Sequence, residues 1–109
     1  MSSGTGSASV VSTHVLDTAS GEPASGVAVR LEQLGGGELG RGVTDADGRF
    51  AGFDVPFLEA GTYRLVFQTA AVAPFFPEVI VTFAADGVRA RYHIPLLLGP
   101  YGYTTYRGS

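Results

Sequence analysis

The apolar residues of this chain recur at every second position, in runs too short for a sustained helical period. In Val27-Ala28-Val29-Arg30-Leu31-Glu32, the residues Val27, Val29 and Leu31 share one side, and Arg30 and Glu32 share the other. Tyr63, Leu65 and Phe67 repeat the pattern, as do Val79, Val81 and Phe83. Successive side chains of a strand point to opposite faces, so each set marks a strand with one face in a core. Sixteen glycines and six prolines cut the runs at short intervals. Short strands with regular turn signals point to an antiparallel all-β sandwich or barrel.

Eight strands are expected, over about 9–16, 26–33, 40–45, 48–54, 62–69, 78–84, 89–97 and 102–107. Asp17 to Gly21, Gly35-Gly36-Gly37, Asp45-Ala46-Asp47-Gly48 and Ala85-Asp86-Gly87 supply residues that tolerate turn conformations. Pro95 cannot donate to a ladder, so its strand is read as an edge or a bulged strand. Residues 70–77 form a connection with room for one short helical turn. The chain of 109 residues fits one domain over 9–109, preceded by a Gly/Ser-rich tail over 1–8 that is expected to be flexible.

Charge and residue usage narrow the function classes. A net charge of -3 argues against a nucleic-acid partner, which favours a basic surface. No apolar run approaches the ~20 residues of a membrane-spanning helix, and residues 1–8 lack the features of a secretory signal. The expected compartment is the cytoplasm. Cysteine is absent, which removes disulfides, thiolate nucleophiles and thiolate metal sites. Two histidines, His14 and His93, are too few for a histidine-rich metal site, and no metal is expected. Every basic residue is an arginine, whose planar fork of donors suits carboxylates and carbonyls.

His93 lies in Val88-Arg89-Ala90-Arg91-Tyr92-His93-Ile94. The apolar set there is Val88, Ala90, Tyr92 and Ile94, and His93 falls on the other face with Arg89 and Arg91. Spacing alone favours an ordinary surface histidine; the alternative is a general acid or base, because imidazole titrates near neutrality. His14, in Ser12-Thr13-His14-Val15-Leu16, has an ambiguous face, opposed by Val11 and Val15 but shared with Leu16. It reads as a partly buried structural histidine or as a site residue. Arg49 follows the turn Asp45-Ala46-Asp47-Gly48, as a charge beside a hairpin or as a recognition residue. Leu96-Leu97-Leu98 reads as core or as an apolar interface. The last residues, Tyr101 to Ser109, make strand-like sequence close to the end, either an edge strand or part of a site. Spacing by itself names no reaction.

The motifs do resemble a family. Thr13-His14-Val15-Leu16-Asp17, followed by Gly21-Glu22-Pro23-Ala24, resembles the opening motif of the transthyretin-like 5-hydroxyisourate hydrolases. Thr44-Asp45-Ala46-Asp47-Gly48-Arg49 is similar to their arginine motif, and Phe75-Phe76-Pro77-Glu78-Val79 to their next shared segment. Tyr92-His93-Ile94-Pro95-Leu96-Leu97-Leu98 and Tyr106-Arg107-Gly108-Ser109 complete the set. The resemblance covers residues 9–109. Its ending separates the hydrolases from the hormone-carrying transthyretins. Arg91 stands where the family often has a further histidine, Gly99 replaces a common serine, and the stretch between Phe67 and Phe75 is shorter than usual.

The resemblance implies a transthyretin-like sandwich of two antiparallel sheets, assembled as a homotetramer with sites in a central channel. It implies hydrolysis of 5-hydroxyisourate to 2-oxo-4-hydroxy-4-carboxy-5-ureidoimidazoline, a step of urate degradation. The catalytic residues carry over onto His14, Arg49, His93 and Ser109. Substrate contacts fall to His14, Arg49, Tyr106, Arg107 and Ser109. One histidine would activate water and the other would protonate the departing ring nitrogen, with either residue open to either role. Arg49 would hold the oxygen on which charge develops, and Ser109 would orient a histidine or the substrate. No cofactor is expected, because water and two titratable groups suffice. The alternatives are a transthyretin-like carrier of a small aromatic ligand and a purely structural β-sandwich.

Overall fold

The alternating runs become nine strands: β1 (Val11–Asp17), β2 (Glu22–Pro23), β3 (Ala28–Gln33), β4 (Glu38–Val43), β5 (Arg49–Phe50), β6 (Gly61–Gln68), β7 (Glu78–Ala85), β8 (Tyr92–Leu98) and β9 (Tyr103–Thr105). The structure is a computed structural model that describes residues 9–108; the tail expected over 1–8, and Ser109, lie outside the described residues. One sheet runs β2-β1-β8-β9, with β5 also paired to β1, and the other runs β4-β3-β6-β7.

The period-two pattern sets the core between the sheets. Val29 and Leu31 of β3, Leu65 and Phe67 of β6, and Val79 of β7 are buried from one side. Val11, Thr13 and Val15 of β1 and Ile94, Leu96 and Leu98 of β8 are buried from the other. This resolves the Leu96-Leu97-Leu98 run: Leu96 and Leu98 are core, and Leu97 is half-exposed on the outer face. It also resolves His14. With Val11, Thr13 and Val15 turned inward, Ser12 and His14 stand on the outer face.

Several expected features take a different form. The pairing of β1 with β8 is parallel, from Val11↔Tyr92 to Asp17↔Leu98. β8 is reached only after β6 and β7 have been laid in the opposite sheet, and such a crossover lets two strands run in the same direction. Pro95 sits in an inner strand, neither at an edge nor in a bulge. β9 stops at Thr105, opposite Leu96, so Pro95 falls just beyond the β8–β9 ladder. Thr105 Oγ1 donates to its carbonyl at 2.7 Å.

The strand expected from 89 begins only at Tyr92. Asp86 Oδ1 accepts the amides of Val88 and Arg89, both at 2.8 Å, and the hydroxyl of Tyr92 at 2.9 Å. That turn leaves Val88 85% exposed, although the alternation had placed it with the core. No helix occurs among the described residues. The expected helical turn is replaced by turns, in which the amides of Val72 and Ala73 donate to the Thr69 carbonyl and the amide of Phe76 to that of Ala73.

Candidate active site

Three local structures bring the candidate residues together on the outer face of the β2-β1-β8-β9 sheet. β1 supplies His14 and β8 supplies His93. In the parallel register Ser12 is opposite His93 and His14 is opposite Pro95. β5 supplies Arg49, which is paired with His14 across an antiparallel ladder of two residue pairs.

So short a strand needs support from its turn. Asp45 Oδ1 accepts the amides of Asp47 at 2.9 Å and Arg49 at 3.0 Å. Gly48 adopts φ +74°, and its carbonyl accepts the Val15 amide at 2.7 Å. A side chain at Gly48 would place a Cβ 2.4 Å from the Val15 carbonyl oxygen. The glycine thus answers both a positive φ and a close approach to β1. On the other side of Arg49, the ring of Phe50 packs edge-on against Phe53, with centroids 4.8 Å apart. It fills the space over Gly42 of β4, which ties β5 to the second sheet.

A cavity of about 550 Å³ opens here, lined by Ser12, Arg49, Phe50, Arg89, Arg91, His93 and Gly108 among others. His14 stands beside it rather than on its wall. Both the ring and the backbone of His93 are held. Ser12 Oγ lies 2.8 Å from Nδ1, and the Gly108 amide donates to the His93 carbonyl at 2.7 Å. A Cβ at Gly108 would fall 2.6 Å from His93 Cδ2, so only glycine lets the chain end pass this close to the imidazole. Burial holds the His93 pKa below its ordinary value, and the charges of Arg49 and His14 push it the same way; the Ser12 backbone opposes them. His93 is therefore poised as a neutral imidazole at neutral pH.

The remaining sequence candidates part company. Tyr106 and Arg107 do not enter this cavity. They line a separate cleft of about 130 Å³ with Val81, Phe83, Tyr92 and Ile94, at the open edge between the sheets. Ser109 lies outside the described residues. Sequence reasoning missed Ser12 and Gly108 as contacts of His93; it put Arg89 and Arg91 on the face of His93 but gave them no part in the site. Ser12 was legible only once a parallel β1–β8 register placed it beside His93. Gly108 was in the matching motif, but as spacing rather than as a contact. Among the described residues no three His, Asp or Glu side chains converge as a metal site.

Arg49, His14 and His93 on one face of such a sandwich form an arrangement suited to acid–base chemistry on a small polar molecule. The fold is transthyretin-like. The chain belongs to the HIUase/Transthyretin family, whose model matches residues 11–108. It is 43% identical over 110 residues to a 5-hydroxyisourate hydrolase of Salmonella typhimurium, covering 92% of this chain and 81% of the relative. The solved 5-hydroxyisourate hydrolase of Klebsiella pneumoniae superimposes with a TM-score of 0.81 at 38% identity, covering 93% of this chain and 99% of that one. Sea bream transthyretin in complex with thyroxine gives 0.80 at 32% identity, covering 91% and 94%.

Proposed function

We propose that this protein is an enzyme of urate degradation that hydrolyses 5-hydroxyisourate by opening its six-membered ring. The observation that carries the proposal is that Arg49 and His93, from separate elements, line one cavity, while His14 is paired with Arg49 beside it. The name shared by the Salmonella and Klebsiella relatives supports the choice of substrate.

In this reading His93 is the base. Its neutral imidazole takes a proton from water as the oxygen attacks the ring carbonyl carbon. Arg49 holds the carbonyl oxygen as it gains charge, with the two parallel donors of a guanidinium. The tetrahedral intermediate then collapses with cleavage of the carbon–nitrogen bond. His14 delivers the proton that the departing ring nitrogen requires. The product carries a new carboxylate and a ureido group, as in 2-oxo-4-hydroxy-4-carboxy-5-ureidoimidazoline. Ser109, next in sequence after Gly108, orients a histidine or the substrate. Tyr106 and Arg107 line the other cleft of the same protomer.

The working unit in this reading is a cytoplasmic homotetramer with its sites along a shared channel. Exposed aromatic side chains, among them Phe75 and Tyr101, supply apolar surface for such contacts. The decisive experiment follows the ultraviolet decay of freshly made 5-hydroxyisourate. Accelerated decay with carboxylate product supports the enzyme. Binding of small aromatic ligands with an unaltered decay rate makes the protein a carrier and ends the proposal. Sedimentation at working concentration checks the tetramer.

A further inference from the structure

Ser12 and His93 sit side by side on adjacent strands, in register, with both side chains on the outer face. Their heavy atoms are 2.8 Å apart, Oγ to Nδ1, which is full hydrogen-bond distance. A serine hydroxyl both donates and accepts, so this distance alone admits either imidazole tautomer. The rest of the ring's surroundings decide between them. Cδ2 lies against Gly108, whose missing Cβ would otherwise come within 2.6 Å. Among the described residues Nε2 has no protein partner, and the ring lines the cavity. The working nitrogen is therefore Nε2, and a base there needs its lone pair free.

We propose that Ser12 is a positioning residue that accepts a hydrogen bond from His93 Nδ1–H and so holds His93 in the tautomer whose Nε2 lone pair faces the cavity. The nitrogen that carries the proton in a neutral histidine is set by the bond its other nitrogen makes. When Nε2 takes a proton from water, the Nδ1–H···Oγ bond persists unchanged, so the ring does not turn during the step. A carboxylate in the place of Ser12 would favour the charged imidazolium; a hydroxyl orients the ring without adding a full opposing charge. The site thus keeps a neutral base in a wall of arginines formed by Arg49, Arg89 and Arg91. This proposal rests on the hydrolase reading above, which requires a base at Nε2.

The test has two arms, both on the full chain. In the first, ¹⁵N spectra of the two histidines, assigned with a His14→Asn variant, report which ring nitrogen of His93 is protonated at neutral pH. The expected result is protonated Nδ1 and bare Nε2 in the native protein, with a shift toward Nε2–H in Ser12→Ala. In the second, Ser12→Ala is expected to lower kcat about 10- to 100-fold with little change in KM, on the scale of losing the partner that orients a working histidine. Ser12→Thr, which keeps the hydroxyl in a residue suited to strands, should restore most of it. A native His93 protonated at Nε2 overturns the proposal, and so does an unchanged kcat in folded Ser12→Ala. If Ser12→Ala does not fold, the native spectrum and Ser12→Thr still decide. A native protein that shows the expected tautomer but hydrolyses nothing leaves Ser12 in its place and removes the hydrolase reading instead.

Discussion

His14 and Arg49 are direct partners across the pairing of β1 with β5, and only two residues of β5 make that pairing. The guanidinium is exposed, so its place in the fold depends on backbone rather than on burial of its side chain. Arg49→Lys keeps the charge but not the two parallel donors. We expect the folded variant to lose most of its turnover, about 10²–10³-fold, the scale of removing one donor to a developing oxyanion. Steady-state decay of 5-hydroxyisourate, with circular dichroism to confirm the fold, checks this; full activity would place Arg49 outside the chemistry.

The pH dependence follows from His93. Burial first, then Arg49 and His14, hold its pKa in the folded protein below 6.5. The acid limb of kcat/KM is therefore expected below pH 6.5. Stability has the same sign. The unfolded chain takes up the proton first as pH falls through 6.5, so His93 contributes stability above that value and loses it progressively below. In His93→Asn this part of the stability profile should flatten, and turnover should fall by about 10²–10⁴-fold. Paired pH profiles of rate and melting temperature measure both.

Gly42 gives a remote handle on the same site. A Cβ there would fall 2.1 Å from Phe50 Cζ, and Phe50 adjoins Arg49 in β5. Gly42→Val must push the ring away and drag the two-residue strand with it. Overpacking of this kind costs about 1–3 kcal/mol. The expected outcome is a lower melting temperature together with a loss of kcat beyond that of a comparable surface variant such as Gly102→Ala, where a Cβ meets open space.

Gly108→Ala addresses the chain end. Its Cβ would lie 2.6 Å from His93 Cδ2 and 3.3 Å from the His93 carbonyl oxygen. Because the contact is with a ring and a strand backbone, the terminal segment rather than β8 is expected to move. Activity should drop at least tenfold with a small change in melting temperature, since a tenfold rate loss needs only about 1.4 kcal/mol. Unchanged kcat and KM would show that the terminal segment does not set the histidine.

Much of the architecture was written in the sequence, because it depends on local rules. Alternation in 27–32, 63–67 and 79–83 names the inward residues whatever the partner strands are. Asp45 to Gly48 encode their own turn, with a side-chain acceptor and a glycine at positive φ. The matching motifs around His14, Arg49 and His93 marked the candidate site without showing how its parts meet. The tertiary structure decided what depends on partners far away in sequence. A parallel β1–β8 register set Ser12 against His93, 81 positions apart in the chain. It also settled the face of His14, which Leu16 had blurred, and allowed Pro95 an inner strand whose neighbour stops one residue short. The same packing turned Tyr106 and Arg107 toward the inter-sheet cleft while seating Gly108 on the imidazole. Periodicity tells a strand which face to bury, but a single sequence carries no signal for which strand will lie beside it or in what direction. Those pairings are selected only when the two sheets close over a common core.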